Sequence, residues 1–211
     1  EAYSTKSQKL MGRNAAGESF LKGLLRYKSD PLQIYAQVET DADTNDLRKI
    51  SAAHGFKGNI QVYSNTSLHT ARSAGVIYHP GPGIGEAAYH RRLYGDESWC
   101  LCGITHTTSS SLAMDCIKGL ITAPVKNWDA IICPSNSVKK NVEIILAAEI
   151  EYLKTRLGIS KTVLPLMPVI PLGIHTEEFK YSESNKYSSR QTLGIKNTDI
   201  VILYTGRLSF H

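Results

Sequence analysis

Trp99-Cys100-Leu101-Cys102-Gly103-Ile104-Thr105, followed after a helical stretch by Trp128-Asp129-Ala130-Ile131-Ile132-Cys133, decides the fold. Each run is short and apolar, as a strand buried inside a sheet must be. Between them, residues 109–121 predict a helix. Beyond the second run, Ser135 or Ser137 caps a long helix that reaches about Arg156 and is ended by Gly158. Val138, Val142, Ile145, Leu146, Leu153 and Leu157 are its expected buried stripe. Strand, helix, strand, helix in this order predicts a parallel sheet layered with helices.

The same alternation extends upstream. A helix is expected over about residues 14–27, with Asn14 as N-cap and Phe20, Leu21, Leu24 and Leu25 at helical spacing, before Asp30-Pro31 breaks it. Residues 32–38 read as a strand, 44–54 as a helix stopped by Gly55, and 60–63 and 74–78 as short strands. Downstream, residues 163–170 are rich in proline, and their apolar end would serve as the last strand. The expected fold class is therefore α/β, a Rossmann-like parallel sheet with helices on both faces, spanning residues 1–172. Residues 173–199 are polar and read as an interdomain linker with a single helical turn at 190–193. Ile200-Val201-Ile202-Leu203-Tyr204-Thr205-Gly206-Arg207 then reads as a buried strand opening a second domain over 200–211. With a polar start at Glu1 to Gln8, this supports the expectation that the chain is a piece of a longer protein.

Composition narrows the classes. The 211 residues are 42% hydrophobic and 20% charged, which is globular and argues against a disordered chain. The net charge of +5 suits anionic small molecules or a loose membrane-surface contact, and lacks the basic stripe of a nucleic-acid binder. Lys139, Lys140, Lys154 and Arg156 read as a solvated helix face, with a membrane-docking patch as the sharper alternative. Cys100, Cys102, Cys116 and Cys133 lack zinc-site spacing and read as buried free thiols of a reducing compartment. No apolar run is long enough to span a bilayer, and the default location is cytoplasmic, with a peripheral position at the inner face of the membrane as the variant.

Three loops are candidates for chemistry. Gly12-Arg13-Asn14-Ala15-Ala16-Gly17-Glu18-Ser19 has P-loop spacing, but Glu18 stands where the phosphate-binding lysine belongs, so an NTPase reading fails. A glycine-bearing loop that opens a helix and can hold an anion survives, beside simple backbone turning. His79-Pro80-Gly81-Pro82-Gly83-Ile84-Gly85-Glu86 is a near-match to a dinucleotide fingerprint, with Glu86 expected to crowd helix against strand. Gly103-Ile104-Thr105-His106-Thr107-Thr108-Ser109 places His106 at the C-terminal end of a buried strand, where open α/β sheets bind ligands. A histidine there can donate to a sugar hydroxyl or exchange a proton near neutral pH, or simply cap the next helix.

Val169-Ile170-Pro171-Leu172-Gly173-Ile174-His175, then Glu178-Phe179, Arg190 with Leu193-Gly194-Ile195, and Val201 through Leu208 resemble the hinge of family 4 glycosyltransferases. Trp128 through Ser135 is similar to that family's strand ending in serine. The resemblance is weak before about residue 95 and strongest from Gly103 onward. It implies the GT-B architecture, with two Rossmann-like domains facing across a cleft and the acceptor held mainly by the N-terminal one. It also implies sugar transfer from a nucleotide-sugar donor, a substrate rather than a cofactor, with retention of configuration and without a metal.

By the same resemblance, His106 meets the transferring sugar and Arg207 contacts the donor diphosphate, whose charge basic side chains and helix N-termini offset. Gly12 or Gly17 would approach the donor phosphates, and Ser135 is a further donor-side candidate. Arg13, His79, Gly81, Gly83 and Thr107 belong to the expected acceptor-side loops. The acceptor is a sugar, lipid or small metabolite, and no nucleic-acid partner is expected. His175 replaces the hinge aspartate of the family, and the donor-holding glutamate pair is expected in a domain beyond this chain, which should be inactive alone. The alternatives are a GT-B-like binding or regulatory module and an NAD(P)-binding Rossmann enzyme.

Overall fold

The computed structural model describes residues 12–27, 33–38 and 40–204. The chain divides into two compact units, 1–173 and 174–211.

The first unit is built from parallel strands flanked by helices. Helix α1 (Gly12–Tyr27) precedes strand β1 (Gln33–Gln37), helix α2 (Asp41–Ala53) and strand β2 (Asn59–Tyr63). A 3-10 turn (Asn65–Thr70) and the short α3 (Ala71–Ala74) lead to β3 (Val76–Tyr78), α4 (Ile84–Arg92), β4 (Cys100–Ile104), α5 (Ser111–Gly119), β5 (Ala130–Ile132) and α6 (Asn136–Leu157). Strands β1 and β2 pair with each other, and β3, β4 and β5 form a three-stranded group in that order. Every pairing is parallel, with Tyr78 opposite Cys102 and Ile104 opposite Ile132.

Alternation along the strands assigns the faces. Ile77, Leu101 and Ile131 join Ile84, Ile117, Leu120, Val142 and Leu146 in one core, so α4, α5 and α6 cover that face. Tyr78 points the other way and stacks on Phe20 of α1 with ring centroids 4.2 Å apart. Helices thus lie on both faces of β3–β5. Burial of a side chain such as Ile117 or Leu101 contributes about 1.5–3 kcal/mol each.

Residues 166–170 run beside β5 without forming a full strand. They make parallel bridges at Ala130–Leu166 and Cys133–Val169, and the Cys133 N–H reaches the Pro168 carbonyl at 2.9 Å. Pro168 has no N–H to return, which interrupts the expected last strand.

Several local expectations change. Asn14 lies inside α1 and is buried rather than capping it. The buried positions Asn14, Gly17, Leu21 and Leu25 continue one stripe at helical spacing, so the helix absorbs the glycine segment that the sequence presented as a loop. In α6, Val142, Leu146 and Leu153 are buried, but Leu157 is exposed in the last turn. Of the four thiols, Cys133 is buried and the other three are partly exposed.

The second unit is more helical than a bare linker. A 3-10 turn (Thr176–Phe179) precedes α7 (Glu183–Thr192), whose N-cap Ser182 accepts the Asn185 N–H at 3.2 Å. No α7 residue is buried, so apolar periodicity could not reveal it. Ile200 and Ile202 are 94% and 95% exposed, and residues 200–204 form no strand among the described residues. The remainder of the expected strand, 205–207, lies outside them.

Candidate functional site

Because the strands are parallel, the C-terminal ends of β3, β4 and β5 share one edge, and α4, α5 and α6 begin there. The loop after β3 is laced onto β4. The His79 N–H donates to the Cys102 carbonyl at 2.7 Å, and the Ile104 N–H donates to the Gly81 carbonyl at 3.1 Å. Gly103 makes this approach possible: a Cβ there would stand 2.6 Å from the Gly81 carbonyl oxygen and 2.9 Å from the Ile84 and Ile131 side chains. Only a glycine fits that spacing.

His106 follows the end of β4 and is partly buried at this edge. Thr107 is exposed, and its Oγ1 accepts the Ser109 N–H at 3.2 Å. The next residues organise helix starts. Ser110 Oγ accepts the Ala113 N–H at 3.3 Å to cap α5, and Ser135 Oγ accepts the Val138 N–H at 3.2 Å to cap α6. Asn141 Nδ2 donates to Thr108 Oγ1 at 2.5 Å and ties the loop after β4 to α6. Helix α4 starts after Gly83 with no side-chain cap.

Burial lowers the pKa of His79 from its ordinary 6.5, partly offset by the Glu86 carboxylate, so the ring favours its neutral form. Burial raises the thiols of Cys102 and Cys133, so neither is an activated nucleophile. Tyr78 is pushed up to about 12 by burial and by its neighbour Cys102.

The structure therefore gathers His79, Gly81, Gly83, His106, Thr107 and Ser135 at one sheet edge. Gly17 differs from the expectation. It is buried within α1 and so lies in no open phosphate loop, whereas Gly12 is the exposed first residue of that helix; Arg13 belongs to the same helix. Arg207 falls outside the described residues. Glu86 does not crowd the sheet, because its side chain is exposed while Ile84, Ala88 and Arg91 form the buried face of α4. Glu86 is thus no obstacle to close packing of α4 on the strands.

Three features escaped sequence reading. Thr105 is fully buried at the end of β4, and its hydroxyl has no hydrogen-bond partner among the described residues. At the opposite edge, Arg91 and Asp129 are fully buried and paired through two contacts of 2.6 and 2.8 Å. Asp129 also accepts the Leu101 and Lys126 N–H groups at 2.9 and 2.8 Å, and Arg91 donates to the Trp99 carbonyl at 3.0 Å. This pair clamps the strand starts and stands away from the candidate site. The signal was an α4 stripe, Ile84, Ala88, Arg91, that continues an apolar pattern into a charge. Third, an open cleft of about 640 Å³ lies at the ends of β1 and β2, with Thr40, Thr44, Tyr63, Ser67 and His69 among its walls.

Among the described residues no group of three or more His, Cys, Asp or Glu side chains could hold a metal ion, and no helix is long and apolar enough to cross a membrane. No protein-family model, curated protein or solved structure matches the chain.

Proposed function

We propose that this chain supplies the acceptor-side half of a retaining glycosyltransferase that uses a nucleotide-sugar donor. The observation that carries the reading is the position of His106 at the C-terminal edge of a buried parallel strand, where α4, α5 and α6 also begin. Helix N-termini present partial positive charge and unsatisfied N–H groups, which favour an anionic or hydroxyl-rich ligand. His106 would meet the transferring sugar there, donating to a hydroxyl or exchanging a proton in the transition state.

The hinge motifs support the reading from sequence. The neutral ring of His79 and the loop of Gly81 and Gly83 would border the acceptor. Ser135 acts through the helix it caps, which it orients toward the edge. Gly17, buried within α1, drops out as a loop ligand, whereas Gly12 opens that helix and keeps its proposed place near the donor phosphates by resemblance alone. Arg207 remains the proposed contact to the donor diphosphate by resemblance alone. The proposed location is cytoplasmic, with a loose membrane-surface contact as the variant.

Release of nucleoside diphosphate from a panel of nucleotide sugars tests this reading, with the complete gene product assayed beside the 211-residue chain. Release by the complete product and silence from the chain alone is the expected result. Silence from both with every donor and a broad acceptor mixture would favour a binding module. Transfer by this chain alone would refute its role as an incomplete half.

A further inference from the structure

The start of α4 carries a second, separable feature. Along β4, Leu101, Gly103 and Thr105 share the face against which α4 packs, since successive strand side chains alternate. Gly103 meets Ile84, the first residue of α4, and Gly81 in the loop before it. Thr105 is one pleat further toward the helix-opening edge on the same face. It is fully buried, and its Oγ1 lacks a hydrogen-bond partner among the described residues. On β3, Ile77 belongs to the core on this face. His79, two residues on, therefore points to the same side, and its Nε2 is also buried without a hydrogen-bond partner among the described residues. The two polar side chains thus flank the helix start from adjacent strands.

The helix start is itself rich in donors. No side chain caps it, and the Ile84 N–H turns back to the Pro82 carbonyl at 2.9 Å. The N–H groups of Gly85 and Glu86, in the first turn, have no acceptor within an α-helical ladder. An unmade hydrogen bond on a buried hydroxyl is costly, and such a group in a native fold calls for an occupant. A threonine hydroxyl, an imidazole nitrogen and helix N–H groups together match a ligand rich in acceptor oxygens. The Glu86 side chain is exposed, while Ile84 and Ala88 are buried; its carboxylate still acts on the His79 ring, so it stands at the rim of the site as an opposing charge.

We propose that Thr105, His79 and the N-terminal turn of α4 form a phosphate-binding site that accepts the phosphate group of a small-molecule ligand. The helix turn supplies N–H donors and a favourable dipole, Thr105 donates from below, and His79 closes the side. This inference does not depend on sugar transfer, because it concerns binding to the chain as it stands.

The test is a titration of the 15N-labelled chain with inorganic phosphate, a hexose monophosphate and uridine diphosphate, followed by amide shifts. The expected result is saturable movement of the Gly83, Gly85 and Glu86 amides. Thr105→Val, which keeps the shape and removes the hydroxyl, should weaken binding about tenfold without lowering Tm, whereas Thr105→Ser should retain binding. His79→Gln provides a second variant and should also weaken it. Tighter binding of the monophosphate would identify the ligand as a phosphorylated acceptor, and tighter binding of the diphosphate would identify it as the donor. Shifts confined to surface lysines, or Thr105→Val and His79→Gln variants that bind like the parent chain, would overturn the site. Nucleoside diphosphate release from the complete gene product would still report on the transferase reading, so the two can fail separately.

Discussion

Asp129 illustrates how much a single buried carboxylate can hold. It pairs with Arg91 and accepts two backbone N–H groups, from Leu101 and Lys126. Asp129→Ala should leave the guanidinium unpaired in a dry site and orphan both N–H groups. The expected loss is about 3–5 kcal/mol, read from urea unfolding. A loss below about 1 kcal/mol would mean that water reaches the pair. Replacing both partners with apolar residues would still orphan the two N–H groups, so the usual neutrality of such a swap should not appear here.

His79 makes a prediction of opposite kind. Its folded-state pKa lies below 6.5 because burial disfavours the charged ring. Above that pH both folded and unfolded chains carry it neutral, and it contributes nothing to pH dependence. As pH falls below 6.5, the unfolded chain takes up a proton that the folded chain resists, so stability declines until the folded-state pKa is passed. His79→Gln should shallow the fall in unfolding free energy between pH 7.5 and 5.5; an unchanged slope would show that the ring is solvated. The sequence displayed His79 and His106 as exceptional residues in short loops, but gave no sign of Thr105. A threonine at a strand end is ordinary until its burial and missing partner are known.

At the scale of elements, the sequence showed most clearly what periodic burial creates. Strands β4 and β5 and helix α6 bury apolar residues with period two or 3.6, and all three were anticipated within a few residues. Periodicity reveals only one turn of α7, because none of its residues is buried. Its signals are instead local: Ser182 caps its start, and Arg190 donates to the carbonyls of Lys196 and Asp199 at 2.6 Å each. Gly194 has φ +68, and the Ile195 N–H reaches the Arg190 carbonyl at 2.9 Å, closing the C-terminus. Arg190, Leu193 and Gly194, one part of the hinge resemblance, thus build a helix stop. A helix of this length without a packed face is marginal. Ser182→Ala should cost about 1 kcal/mol locally. Amide exchange across residues 183–192 should accelerate while α6 remains protected; equal protection in the variant would show that something other than the cap holds α7.

For the whole molecule, the alternation of short apolar runs with amphipathic stretches made the layered α/β architecture legible before any coordinates. It could not show that backbone pairing falls into a two-stranded and a three-stranded group, because register depends on contacts distant in sequence. Nor could it separate a glycine that opens a loop from one inside a helix. Gly17 sits inside a helix, while Gly103 carries the close approach that shapes the candidate edge.

The proline-interrupted segment beside β5 bears on self-association. Leu166 and Ile170 donate inward to β5 at 2.7 and 3.0 Å, so alternation turns the Met167 and Val169 N–H groups away from it. Pro165 and Pro171 bound that pair and have no donors of their own. A neighbouring molecule seeking to extend the sheet here would find two consecutive outward donors and then none, too short a template to seed cross-β growth.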